Sequence, residues 1–361
     1  MIELSDESCR EQVDERDTMF ARMARRAGTA AYEEYYRRHP GRRKPDDRIR
    51  GKPKLSEPGG RHYDPRVSPE AQRWFDRIEP FEPEQAIVEE LGARLVDADQ
   101  RTAAVKAMIR DLGAVDVGCA DVDRTFVYSH KGRFDRHYGQ PVRLDHGSAA
   151  VFLVEMDFDA MGRAPRAEAL RETARQYFEA ARIAKTAAAA LTAAGFGAKA
   201  HYDAHYDVVL PPLAVRAGLG ELGRNNILIA DRYGSRVRIG AVTTNLPLAA
   251  DEPRALGALR FCELCHKCAD NCPSNALDRG DRTEVRGVLR WTTHPERCYG
   301  YWRSVGTDCG VCMAVCPFSH RNHWFHNLVR WLVRRVPASH RLALWCDDLL
   351  YGRRWPGLDG E

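Results

Sequence analysis

The chain has 361 residues and a formal net charge of +4, from 55 Lys+Arg against 51 Asp+Glu. With 44% hydrophobic and 29% charged residues it has an ordinary globular composition. Its cations, 47 Arg and 8 Lys, are spread along the chain rather than gathered into a nucleic-acid footprint, and no apolar run approaches the roughly 18 residues of a membrane span.

The first residues, MIELSDESCREQVDERD, are polar and acidic. They show neither a secretory core nor a twin-arginine signal, so a cytoplasmic protein is expected. Residues 1–83 are arginine-rich and punctuated by proline. They predict short helices and irregular stretches that wrap the domain behind them. Within this region, residues 40–60 have the composition of a disordered segment or of a lid ordered by a ligand.

Residues 84–254 alternate helical and strand patterns and predict an α/β domain. Apolar spacings of three and four over 84–113 predict a helix. DVGCADVD and SAAVFLVEMD read as strands, and the alanine-rich stretch from Ala164 to Gly197 reads as a long helix closed by glycine. NNILIADRYGSRVRIGAVTTNLPL reads as a hairpin of two strands. Residues 255–320 carry the cysteine motifs. Residues 321–361 form a tail whose amphipathic stretch, broken by Pro337, is expected to pack on the core rather than touch a membrane.

Eight of the 11 cysteines fall between Cys262 and Cys316. Cys9, Cys119 and Cys346 are scattered and read as small buried hydrophobes. Cys262, Cys265, Cys268 and Cys272, followed by Pro273, have the spacing C-x2-C-x2-C-x3-C-P of bacterial two-cluster ferredoxins. Cys298, Cys309, Cys312 and Cys316, followed by Pro317, form a second run, C-x10-C-x2-C-x3-C-P. In such folds the fourth cysteine of each run serves the other cluster. One [4Fe–4S] cluster is therefore assigned to Cys262, Cys265, Cys268 and Cys316. The other takes Cys272, Cys298, Cys309 and Cys312. Structural zinc uses paired knuckles and has no need of the repeated triplet.

Gly218, Gly220 and Gly223 match a dinucleotide fingerprint formally, but the required order of strand, turn and helix is missing. What survives is close backbone approach or tight packing.

GLGELGRNNILI, YGSRVR, VTTNLPL, FCELCHKCADNCPSNAL, CYGYWR and DCGVCMAVCPFSH together resemble the reductive dehalogenases, as do RDTMFARMARRAG and DDLLYG. The resemblance implies a nitroreductase-like, corrinoid-binding α/β core joined to a two-[4Fe–4S] ferredoxin-like domain, in the cytoplasmic, non-exported type. The epoxyqueuosine reductases, which act on a modified tRNA base, share that core and are the alternative. A third possibility is an electron-transfer iron–sulfur protein without a substrate.

As implied by the family, a cobalamin is bound base-off against residues 217–248, with Gly218, Gly220, Gly223, Arg224 and Asn225 as contacts. Its cobalt is reduced to Co(I) by the nearer cluster, and an organohalide R–X becomes R–H and halide. The family's proton donor maps to Tyr177 and its cation to Arg238, with Arg236 the near alternative. A third polar residue maps to Asp203 or His205, neither of the usual type. The implied partners are an organohalide and an electron donor such as a ferredoxin, flavodoxin or reductase, with no DNA and no membrane.

Overall fold

The computed structural model describes residues 11–83, 97–286 and 288–358. Helices α1 (Met19–Ala24), α2 (Ala30–Arg38), α3 (Pro40–Arg50), α4 (Ser68–Asp76) and α5 (Ala98–Asp111) precede strands β1 (Asp116–Asp121) and β2 (Ser148–Glu155). After α6 (Phe158–Met161) and α7 (Ala167–Ala193) come β3 (Ala198–His201), α8 (Leu210–Arg216), β4 (Gly220–Leu222), β5 (Leu228–Ala230) and β6 (Val237–Thr244). The cysteine region contains α9 (Ala258–Cys265), α10 (Lys267–Asp270), α11 (Pro295–Val305) and α12 (Val311–Ala314), and the chain continues into α13 (Trp324–Arg335) and α14 (His340–Tyr351).

The central sheet has the order β1-β2-β6-β3, every pair antiparallel. Successive side chains of a strand point to opposite faces, and both faces of β2 are apolar. Ala150, Phe152 and Val154 pack with α5 and α7, whereas Ala149, Val151 and Leu153 pack with α8. The alanines of α7 let a helix of 27 residues lie close against the sheet. The same alternation in β6 puts Val242 on the α7 side and Val237 and Ala241 on the other. Arg238 shares the parity of Val242, so it points toward α7.

Three expectations change. Residues 40–60 are ordered: α3 fills the first half, and Arg303 donates to the carbonyls of Arg50, Lys52 and Pro53 in the second. The segment is held by polar pairing that composition cannot reveal. Arg22 meets Asp46 at 2.5 Å, Tyr36 donates to Asp46 at 2.8 Å, and Tyr32 donates to Asp47 at 2.7 Å. Second, NNILI and VRIGAVTT do not form a hairpin. β5 pairs back with β4, and β6 enters the central sheet between β2 and β3. Third, the tail packs on the core through only one face of α13 and α14; Trp324, Trp331 and Trp345 lie exposed on the other. No helix among the described residues is long and apolar enough to cross a membrane.

The first half of the predicted 84–113 helix, residues 84–96, lies outside the described residues, as does Cys9. Cys119 is fully buried in the main core, and Cys346 is half-buried.

Candidate functional site

Cys262 and Cys265 lie on α9, Cys268 on α10, and Cys316 caps the turn Pro317–Ser319. All four line one cavity, together with Arg224, Asn225 and His266. Cys272 turns to the second set. The thiols of Cys309, Cys298 and Cys272 act on Cys312, and Cys272 acts on Cys298. Burial pushes the Cys298 thiol up to about 12, with Cys272 and Asp308 pushing the same way. Burial likewise raises Cys262, with Cys268 and Cys316 adding to it and Arg224 opposing.

Buried thiols of this kind cannot hold charge alone, and a cationic metal cluster removes that penalty. The donor set therefore fits iron–sulfur ligation. No three His, Cys, Asp or Glu side chains among the described residues stand close enough to share one metal ion. Four thiolates that each take a different iron of a cubane have no need to. Each single loss should leave about four irons of eight. Cys316→Ala should remove the cluster of the α9 cavity, and Cys272→Ala the cluster of the other set. Iron analysis with EPR checks this, and loss of the same cluster in both variants would refute the crossed ligation.

The polar site lies where α7 faces β6. Thr173 and Tyr177 are four residues apart, hence on one face of α7. Arg238 reaches both: its Nη2 donates to Thr173 Oγ1 at 3.0 Å, and its guanidinium lies 4.7 Å from the Tyr177 ring centroid. The same Nη2 donates to Asp308 Oδ2 at 3.1 Å. Arg236 is fully buried and tied elsewhere, its Nε donating to the Ser319 carbonyl at 2.6 Å and its Nη1 to Glu155 at 3.2 Å. Of the two arginines, Arg238 stands at the tyrosine.

Burial raises the Tyr177 phenol above its ordinary range; Arg238 opposes this, Asp203 and Asp308 add to it, and Arg133 opposes it. The hydroxyl stays protonated at neutral pH. Its ring contacts are Arg238 and Phe75, and the hydroxyl itself takes no hydrogen bond among the described residues. Asp203 therefore shares the site with Tyr177 and Arg133. His205 stands behind it, its ring 5.0 Å from both Phe134 and Tyr202 and its Nδ1 3.2 Å from the Asp203 carbonyl.

Sequence reasoning passed over Arg133, Tyr206 and Asp308. Burial lifts Tyr206 to about 12, with Arg133 opposing and Asp203 adding. Asp308 is buried, and burial raises its carboxyl against the pull of Arg238. The one signal for Asp308 is its place immediately before Cys309 in DCGVC. That position joins the tyrosine site to the second cysteine set, because Asp308 also acts on Cys298 and Cys309. Three buried polar atoms here have no hydrogen-bond partner among the described residues: Arg133 Nη1, Arg238 Nε and Asp308 Oδ1.

The glycine segment sits elsewhere. A Cβ at Gly220 would stand 2.2 Å from the Ile229 carbonyl, and one at Gly218 2.6 Å from the Glu252 carbonyl. Gly223 has Ile229 Cδ1 at 2.7 Å from such a position. These close approaches are made to protein atoms. Arg224 is buried and donates to the carbonyls of Cys262, Asp278 and Gly280, while Asn225 Nδ2 donates to the Cys312 carbonyl at 3.4 Å. The turn thus lies between the two cysteine sets.

His201, at the end of β3, gives a pH prediction. Its Nδ1 accepts the Asp207 amide at 3.1 Å and its Nε2 meets Thr243 Oγ1 at 2.8 Å, so the neutral ring is fully satisfied. Burial holds its pKa well below the ordinary value, with Lys199 and Lys131 adding to that. The folded pKa is depressed, so its contribution is complete above the unfolded value near 6.5 and fades as pH falls below it. Thermal stability should decline below about pH 6.5 by up to about 1.4 kcal/mol per pH unit, and His201→Gln should flatten that slope. An unchanged slope in melting experiments would count against it.

Residues 261–320 match the 4Fe-4S dicluster domain family. The chain is similar to the tetrachloroethene reductive dehalogenase of Sulfurospirillum multivorans, 42% identical over 149 residues, which is 39% of this chain and 30% of the relative. It is also similar to that of Desulfitobacterium hafniense, 33% identical over 246 residues, 65% of this chain and 43% of the relative. Among solved structures it resembles a reductive dehalogenase studied for B12-dependent dehalogenation, with TM-score 0.75 and 25% identity over 98% of this chain and 49% of the other. An epoxyqueuosine reductase of Lactococcus garvieae matches over a shorter range, 34% identical over 120 residues, 32% of this chain and 33% of the relative. The chain spans less than half the length of these relatives.

Proposed function

We propose that this chain, a homologue of the reductive dehalogenases that carries a 4Fe-4S dicluster domain, is a corrinoid-dependent oxidoreductase that removes halide from an organohalide: R–X + 2e⁻ + H⁺ → R–H + X⁻. The observation that carries this reading is the Tyr177–Arg238 pair, 4.7 Å apart, joined through Asp308 to the cysteine set of Cys309. A proton source and an electron path meet there.

The unpartnered Arg133 Nη1, Arg238 Nε and Asp308 Oδ1 offer donors and an acceptor in one place. They fit an amide-fringed group such as a corrinoid, together with a substrate. When bound, the corrinoid supplies a low-valent cobalt able to break the carbon–halogen bond, and the clusters supply its electrons.

The chain's own residues do the rest. Tyr177 holds a proton at its phenolic oxygen, kept there by burial, and delivers it to carbon as negative charge develops. Arg238 remains charged at any working pH, so it steadies the phenolate left behind. Its Nε is free for the departing halide. Asp308 and Thr173 fix the guanidinium over the ring. Asp203, whose charge acts on both Tyr177 and Arg133, relays the replacement proton. Cytoplasmic location and a ferredoxin, flavodoxin or reductase as electron donor belong to the same reading.

The test is anaerobic reconstitution with iron, sulfide and cobalamin, followed by a panel of aryl and alkyl halides. The expected result is one corrinoid and about eight irons per chain, with halide released. A loaded protein that reduces an epoxyqueuosine-bearing stem loop and no halide would move the chain to the other branch.

A further inference from the structure

The reaction consumes two electrons for each halide released, and these must enter near a cysteine set. The Tyr177–Arg238 site adjoins the second set, so Cys262, Cys265, Cys268 and Cys316 form the outer one. Helices α13 and α14 are its wall. Val333 is buried with Cys262, Cys265 and Cys316, and Val329, Ala343 and Leu344 pack on the same cluster of side chains. Lys267, next to Cys268, pairs with Asp347 and Asp348 of α14.

The opposite face of this wall is uncovered. Trp324, Trp331 and Trp345 are 69%, 54% and 61% exposed. With Leu328 they make a stripe at i, i+4, i+7 on α13, and with Leu342 and Leu349 a second at i, i+3, i+7 on α14. A contiguous exposed apolar patch of this kind marks an interaction surface. Its charge is one-sided. Arg335 and Arg341, each four residues from Trp331 or Trp345 on its helix, are exposed and carry no ion pair among the described residues. The only acids of the two helices, Asp347 and Asp348, are already paired with Lys267, His320 and Arg353. A second copy would set arginine against arginine, whereas an acidic partner would complement the face.

We propose that the exposed face of α13 and α14 docks an acidic one-electron carrier protein of the ferredoxin type, which delivers electrons to the outer cluster. This rests on the reading above, in which the cysteine sets hold [4Fe–4S] clusters. One helix layer, about 10 Å thick, separates the face from the outer set. In each encounter the carrier is oxidised by one electron and the outer cluster is reduced by one, with no atom transferred. Two encounters supply the two electrons of one turnover.

The test follows bleaching of the cluster absorbance in the reconstituted full chain after mixing with a reduced bacterial ferredoxin, so neither halide nor corrinoid is needed. Titanium(III) citrate, a small reductant, is used in parallel. Arg335→Glu with Arg341→Glu, and separately Trp331→Ser with Trp345→Ser, should slow reduction by ferredoxin at low salt by about tenfold or more. Reduction by titanium should change by less than about twofold, because these side chains are exposed and far from the cysteines. Unchanged ferredoxin rates in both variants overturn the proposal. So does a stable dimer of the wild type that Trp331→Ser dissociates, or cosedimentation with anionic phosphatidylglycerol vesicles that the arginine variant abolishes. A wild-type chain that takes no electrons from titanium overturns the cluster reading, and this proposal with it.

Discussion

Tyr177→Phe should lower dehalogenation by at least about a hundredfold while iron and corrinoid contents stay at the wild-type level, since a placed acid typically contributes 10²–10⁴-fold. The substitution removes one oxygen. That oxygen takes no hydrogen bond among the described residues, and the ring keeps its contacts with Arg238 and Phe75. Little stability is at stake, so a loss of turnover reports on the proton. Burial raises the phenol, Arg238 and Arg133 oppose it, and Asp203 and Asp308 add to it. Activity should therefore persist well into the alkaline range before the proton is lost. The comparison that decides the assignment is Asp203→Asn. If Tyr177→Phe retains near-wild-type turnover while Asp203→Asn or His205→Ala abolishes it, the donor lies in the 201–207 loop. The chemistry would then be closer to that of the epoxyqueuosine reductases.

Arg238→Gln should be worse than a loss of catalysis alone. The guanidinium is the ion-pair partner of Asp308, with side chains only 15% and 6% exposed. Asp308 Oδ1 already lacks a partner. Removing the cation leaves a buried carboxylate uncompensated, and breaking such a pair typically costs about 3–5 kcal/mol. The carboxyl is already pushed up by burial, and losing Arg238 removes the main charge that opposes that rise. Melting should fall accordingly, and the loop bearing Cys309 should loosen, seen as a broadened signal from the second cluster. Adding Asp308→Asn should restore most of the melting temperature, because both charges are then gone. It should not restore turnover, because nothing steadies the Tyr177 phenolate or meets the halide. Recovery of activity in the double variant would make Arg238 a structural residue and remove it from the site.

Several features were legible because they are local. Three thiolates at two-residue gaps on one short stretch have a fixed reach, so the cysteine spacing points to iron–sulfur chemistry without a fold. The even apolar runs of β1 and β2 and the long alanine pattern of α7 are set by the period of each element. The positions of Tyr177 and Arg238 came from resemblance, and neither residue has a local signature of its own.

What tertiary structure alone decided depends on contacts distant in sequence. β6 reads like the second arm of a hairpin, yet its place between β2 and β3 buries side chains of both its faces, Val242 toward α7 and Val237 and Ala241 toward α8. The arginine-rich 40–60 segment looks disordered because its order comes from Asp46, Asp47 and the tyrosines of α2, pairings that no composition records. Arg133, Asp203 and Asp308 converge on Tyr177 from three separate loops, so only the folded chain brings their charges within reach of one phenol. The tail shows the remaining limit. Amphipathic spacing in α13 and α14 states that an apolar face exists, but which face the core takes is settled by Val333 and Leu344 packing over the cysteine cavity, which leaves the tryptophans outside.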